Sequence, residues 1–226
     1  MRNNWRTITI GTAVSWLMRV FLFWLLLYKV YREDYLFAFG VYLGIAFSLI
    51  PGLTEKNFRI QLPFELDLLI TLALFLHTFF GEWLRFYERV EGWDKFLHLY
   101  GTAVTALYAF IVVYSFHYTR KLRLTLPFIG LFTIVFAMAL GAMWEIFEFA
   151  VDSLFAKSMQ NGLSDTMWDM IYDFIGGAVV SVLGMLYVRY STPPESRKRL
   201  SRPIGEVLKE SRHLNDTSDA TRPPRL

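Results

Sequence analysis

The sequence predicts an all-α, polytopic membrane helix bundle with about six transmembrane helices, and three observations predict it. Of the 226 residues, 54% are hydrophobic and 18% aromatic. The apolar residues gather into runs of roughly 15 to 22, the length a helix needs to cross a hydrocarbon core. Apart from Arg19, charged residues fall between the runs or within two turns of their ends. The chain has no cysteine, which excludes a disulfide scaffold and a thiolate metal site. So little of the length lies outside the runs that a separate soluble core has no room to form. The formal net charge is +3, with basic residues in loops and tail, a pattern that speaks for topology and against a nucleic-acid partner.

In chain order the spans are expected at about 7–28, 35–50, 66–84, 96–116, 124–154 and 167–189. The first starts behind Arg2 and Arg6 as a secretion signal would, but it lacks a small-residue cleavage site and exceeds a signal core in length. The second is free of charge. The third carries His77 and, near its end, Glu82. The fourth opens on W-D-K-F-L-H-L-Y-G, with Asp94 and His98 one turn apart and Gly101 and Thr102 one turn deeper. The fifth is uncharged from Thr125 to Trp144 and then reads W-E-I-F-E-F-A-V-D, which puts Glu145, Glu148 and Asp152 on one stripe. The sixth follows a loop containing Gly162 and spaces Asp165, Asp169 and Asp173 by four, ahead of Gly176 and Gly177. No internal repeat, phosphate-binding glycine loop, H-E-x-x-H or G-x-S-x-G pattern is present.

An even number of spans places both termini on one side of the membrane. That side holds Arg2, Arg6, Lys56, Arg59, Arg120, Lys121, Arg123, Arg189, Arg197, Lys198, Arg199 and Arg202. The other holds Lys29, Arg32, Arg85, Arg89, Lys95 and Lys157, so the positive-inside rule predicts a multi-pass cell-membrane protein with cytoplasmic termini. Residues 1–190 form the membrane domain on this reading. Residues 191–226, basic and containing five prolines, read as a disordered or surface-lying cytoplasmic tail.

Alternation of helix direction brings the end of span three, the start of four, the end of five and the start of six to one membrane face. Trp83, Trp93, Trp144 and Trp168 mark that level as an aromatic belt. A cluster of carboxylates there has to be neutralised by protons, by cations such as Lys95 and Arg85, or by a metal ion. Oxygen donors with one or two imidazoles and no thiol suit Mg²⁺, Mn²⁺ or Ca²⁺ better than structural Zn²⁺. The metal-site candidates are Glu145, Glu148, Asp165, Asp169 and Asp173, with His98 and Asp94 as the catalytic pair. Asp152, His77, Glu82 and Lys95 are further candidates.

Plainer roles compete for several of these residues. Asp165 and Asp94 could each cap the start of a helix. Glu145, Glu148 and Asp152 lie toward a helix C-terminus, where the dipole disfavours acids, so their alternative is contact with head-group water. His98 or His77 could be a hydrogen-bonded packing residue, and Arg19 in span one is expected to pair with an acid or to snorkel. Gly101, Gly141, Gly176 and Gly177 read as points of close helix approach.

The set D-K-x-x-H-x-x-G from Asp94, W-E-x-x-E from Trp144 and G-x-x-D-T-x-x-D-M from Gly162, each bordering a membrane helix, resembles the bacterial YjdF-like inner-membrane proteins, relatives of the VanZ-like group. The resemblance covers roughly Leu66 to Arg189. It implies a bacterial or archaeal polytopic protein distantly similar to enzymes that act on phospholipid head groups, including base-exchange phosphatidylserine synthases. It further implies a divalent ion held by carboxylates beside a catalytic histidine. By position, His98 would be base or nucleophile, with Glu145, Glu148 and Asp169 at the metal or phosphate site. VanZ-like members carry Gln where Glu148 stands and an Arg after it, so the departure here speaks against a role in glycopeptide resistance.

The functional expectation is therefore metal-assisted phosphoryl or phosphatidyl transfer, or hydrolysis, at the head group of a membrane lipid near the outer face. The alternatives are a cation- or proton-coupled transporter and a non-catalytic lipid-binding protein.

Overall fold

The computed structural model of the chain describes residues 10–58, 64–118, 123–156 and 158–190, and every regular element among them is helical. In order they are α1 (Ile10–Tyr31), α2 (Tyr35–Ser48), α3 (Ile50–Phe58), α4 (Phe64–Phe75), a π-helical stretch (Leu76–Trp83), α5 (Phe86–Arg89), α6 (Trp93–Tyr118), α7 (Leu126–Phe155) and α8 (Leu163–Tyr190). Six helices among the described residues are long and apolar enough to cross a membrane. The expectation for the tail after Tyr190 lies outside the described residues, as do Arg2, Arg6, Arg59, Arg120, Lys121 and Lys157.

The elements depart from the expected spans where local chemistry interferes with a regular helix. The second span is interrupted at Leu49 and resumes as α3, whose buried Pro51 has no N–H to continue the ladder of α2. The third begins earlier, at Phe64, and leaves α geometry at Leu76 for the π-helical stretch. α6 and α8 each begin about a turn before the expected position, so Asp94 and Asp165 sit inside first turns. Thr125 caps α7, accepting a hydrogen bond from Phe128 N–H at 3.4 Å.

Two packing centres hold the bundle. Leu22, Leu25 and Val41 bury α1 against α2, with Phe75 and Trp83 closing the cluster. Phe110, Tyr114 and Ile129 do the same for α6 and α7, joined by Met185 and Val188 of α8. α6, α7 and α8 make the most extensive mutual contacts, and Leu66 against Ile111 ties α4 to α6. Gly176 permits this closeness: a methyl group there would lie 2.8 Å from the Leu99 carbonyl oxygen of α6. Leu17, Phe23, Leu131, Val135, Ile146, Phe149 and Leu183 are instead exposed, an apolar perimeter suited to acyl chains and far too extensive for water.

Arg19 pairs with an acid, one of the two outcomes expected of it. Its guanidinium, buried in α1, donates to Asp67 at 2.6 Å, to the Ser48 carbonyl at 2.7 Å and to Thr71 Oγ1 at 2.9 Å. One ion pair thereby joins α1, α2 and α4 inside the span.

α7 has 30 residues, about 45 Å of helix, against a hydrocarbon thickness of about 30 Å. Its surplus length, with the first turns of α6 and α8, builds the region described next.

Candidate functional site

His98 stands at the meeting point of three helices. It is buried in the second turn of α6, and its two ring nitrogens face different partners. Nδ1 lies 3.2 Å from Asp173 Oδ1 of α8. Nε2 lies 3.6 Å from Glu145 Oε1 of α7 and 3.8 Å from Asp94 Oδ1, one turn back on its own helix. Thr102 Oγ1 donates to the same Asp173 oxygen at 2.5 Å. A proton on Nδ1 donated to Asp173 leaves Nε2 directed toward Asp94 and Glu145.

Asp173 is almost wholly enclosed and fits because Gly141 of α7 has no side chain, since a Cβ there would collide with its carboxylate. Gly141 thus makes room for an acid, not for a neighbouring helix. Gly176 does mark close helix approach, Gly177 is in ordinary contact with α7, and a methyl group at Gly101 would meet nothing within 4 Å, contrary to the expectation for that position.

One turn toward the starts of α6 and α8, one ligand atom each from Asp94, His98 and Asp169 lie within 4.8 Å of one another. The Lys95 ammonium forms an ion pair with Asp165 and lies 3.7 Å from Asp169 and 3.8 Å from Asp94. Asn161 also donates to Asp165, at 3.0 Å. The Asp165 side chain is therefore engaged by Lys95 and Asn161, in place of the capping role considered for it. Arg85 does not join the cluster, since it pairs with Glu88 at the surface.

Asp94, Asp165, Asp169, Asp173 and Glu145 thus face one ammonium and one imidazole. Such an excess of acid needs protons or a further cation. Glu145 is 5% exposed and Asp169 2%, yet Glu145 Oε1 and Asp169 Oδ1 have no hydrogen-bond donor among the described residues. Buried carboxylate oxygens without a donor are costly, and both lie at the group formed by Asp94, His98 and Asp169. An oxygen-rich set with one imidazole fits a divalent ion.

The remaining candidates sit at the edge of this group or outside it. Glu148 is half-buried one turn beyond Glu145, and Glu82 is exposed at the end of the π-helical stretch. Asp152 points away to the loop, accepting the N–H groups of Met159 at 2.7 Å and Gln160 at 2.9 Å. His77 hydrogen-bonds Tyr87 Oη at 2.5 Å and meets the Trp144 ring edge-on.

Tyr87, Gln160 and Asn161 belong to the site without having been foreseen. Gln160 donates to the Glu145 carbonyl at 3.1 Å and to Glu145 Oε2 at 3.3 Å. Tyr87 arrives through a sharp reversal at Arg85, a non-glycine residue at φ 59°, and its ring fills the space left by Gly81. Burial first, then the charges of Asp94, Glu82, Glu148 and Asp169, raise the Tyr87 phenol well above the usual tyrosine range, so it stays a neutral donor. A pocket of about 560 Å³ opens beside it, lined by residues 87–95 and Asn161, with Asp94 and Lys95 in its wall. No sequence pattern flagged these three, because their roles arise from where two loops fold back over the helices.

A family profile described as "Predicted membrane protein (DUF2238)" matches residues 13–190. A Thermotoga maritima protein described as uncharacterized is 30% identical over 154 residues, which is 66% of this chain and 77% of that protein. No solved structure matches the chain.

Proposed function

The chain belongs to the DUF2238 family of predicted membrane proteins, and from that premise we propose a cation-dependent enzyme that transfers or hydrolyses the phosphoryl or phosphatidyl part of a lipid head group. The observation that carries the reading is the pair of buried oxygens without a hydrogen-bond donor, Asp169 Oδ1 within the Asp94, His98 and Asp169 group and Glu145 Oε1 beside it. Donors within 4.8 Å of one another can share one ion at bond lengths of about 2.1 to 2.4 Å. The mixed oxygen and imidazole set favours Mn²⁺ among the hard divalent ions. With Asp173 accepting at Nδ1, His98 presents Nε2 for use as a ligand or as a base. The YjdF-like resemblance of the three motifs supports the same chemistry.

When bound, the ion supplies positive charge to phosphate oxygens and acidifies a coordinated hydroxyl. The side chains do the rest. Lys95, in the pocket wall, offers an ammonium to the head-group phosphate. Tyr87 offers a neutral phenol, and the pocket's position above Asp94 suits a head group entering from the interface. We place this pocket near the outer face of the cell membrane and the termini in the cytoplasm, on the distribution of Lys and Arg.

Transport is favoured less. Asp67, near the start of α4 and away from the acid group, is engaged by Arg19. The test is incubation of the purified protein in lipid nanodiscs with Mn²⁺ and labelled phospholipids or polyprenyl phosphates, with and without head-group alcohols. Released or exchanged head groups, lost in His98→Ala, are expected. Unchanged lipid across the panel overturns the enzyme reading, and ion flux abolished by Glu148→Gln without lipid turnover would replace it with transport.

A further inference from the structure

The loop between α7 and α8 reaches back onto the acid group, and Glu145 is where it touches. Glutamate has three side-chain torsions, so a carboxylate aimed at a shared ion must be held by something else. Here the Gln160 amide nitrogen grips both ends of the residue, the main-chain carbonyl at 3.1 Å and Oε2 at 3.3 Å. With Oε2 anchored, Oε1 is left facing His98 Nε2 at 3.6 Å, buried and without a donor. Gln160 is fixed in turn. Asp152, two turns along α7 from Glu145, accepts the Met159 and Gln160 N–H groups, one on each carboxylate oxygen. The two acids share a helical stripe but have different duties: Glu145 faces the ion position, and Asp152 holds the loop that steadies it.

Resting on the cation reading above, we propose that Gln160 is a positioning residue that aims Glu145 Oε1 as a further donor to the divalent ion, and that Asp152 acts through Gln160. No sequence motif assigns Gln160 this part. The role also accounts for Asp152 lying on the stripe of Glu145 while its carboxylate is spent on loop backbone.

The experiment is Mn²⁺ binding to the full chain in nanodiscs, read from the electron paramagnetic resonance signal of the free ion. Wild type is expected to take up Mn²⁺ at one site. Gln160→Met, which keeps length and removes the amide, is expected to weaken uptake about tenfold or more. Asp152→Ala is expected to weaken it too, while the double variant matches Gln160→Met within about twofold, because Asp152 acts along the same chain of contacts. A merely structural loop would give independent losses that multiply. Gln160→Met binding like wild type overturns the proposal, as do multiplying losses. If wild type takes up no Mn²⁺, the cation reading falls and this inference with it, a result distinct from the other two. Should Gln160→Met fail to fold, Gln160→Asn, whose amide stops short of Glu145, carries the same tenfold expectation.

Discussion

Asp173 has room for its carboxylate because residue 141 is glycine, so the pair can be probed from the small side. Gly141→Ala forces the carboxylate or α7 to shift. It is expected to cost roughly 1 to 3 kcal/mol of stability, read by thermal melting, and to turn His98 out of line by moving the acceptor at Nδ1. Mn²⁺ uptake should fall with it, and a variant as stable and as competent as wild type would contradict the packing described. At this scale the sequence was informative about acids and poor about their partners. Spacings of three, four and seven identify which acids share a helix face. They do not say that Asp152 turns to a loop, or that Asp165 is taken by Lys95 and Asn161. The Lys95 contact joins residues far apart in the chain, and the others depend on how the loop between α7 and α8 folds back, which helical spacing does not encode.

Among the elements, the segment from the π-helical stretch through α5 departs most from what the sequence announces. A π-helical turn offsets the register of the residues after it, and π-bulges are frequent at functional sites. Here the offset ends at Arg85 in a left-handed conformation and delivers Tyr87 to His77. The apolar run predicted a helix to about residue 84 and could not predict its change of pitch, since nothing in composition separates π from α. The raised Tyr87 phenol carries a pH consequence. An unfolded chain ionises its tyrosines near pH ~10, while folded Tyr87 resists, so its contribution is intact below that point. The contribution is lost as pH rises from there through Tyr87's own higher value. Alkaline melting curves should therefore fall less steeply for Tyr87→Phe than for wild type, and superimposable curves would contradict the assignment.

On the scale of the whole molecule, the helical architecture was legible because apolar runs of spanning length have few other fates. The crossing of α1, α2 and α4 was less so, since the sequence left Arg19 either to pair with an acid or to snorkel. Arg19→Leu leaves Asp67 without its main partner and is expected to destabilise the bundle by roughly 3 to 5 kcal/mol, with Arg19→Leu/Asp67→Leu recovering much of the loss. Denaturant titration in micelles measures both. The proposed topology is open to a clean test because the chain contains no cysteine. Glu91→Cys, exposed in the pocket wall, should react with an impermeant maleimide added to intact cells, and labelling after lysis alone would reverse the orientation.

The surplus length of α7 has its own corollary. Because the acids sit near one end of an overlong helix, their distance from water is set partly by the surrounding lipid. Longer acyl tails would draw the bowl of carboxylates inward and shorter tails would lift it toward the solvent, at fractions of a kcal/mol per Å. The membrane's own thickness would then act as a dial on how readily ions and head groups reach His98.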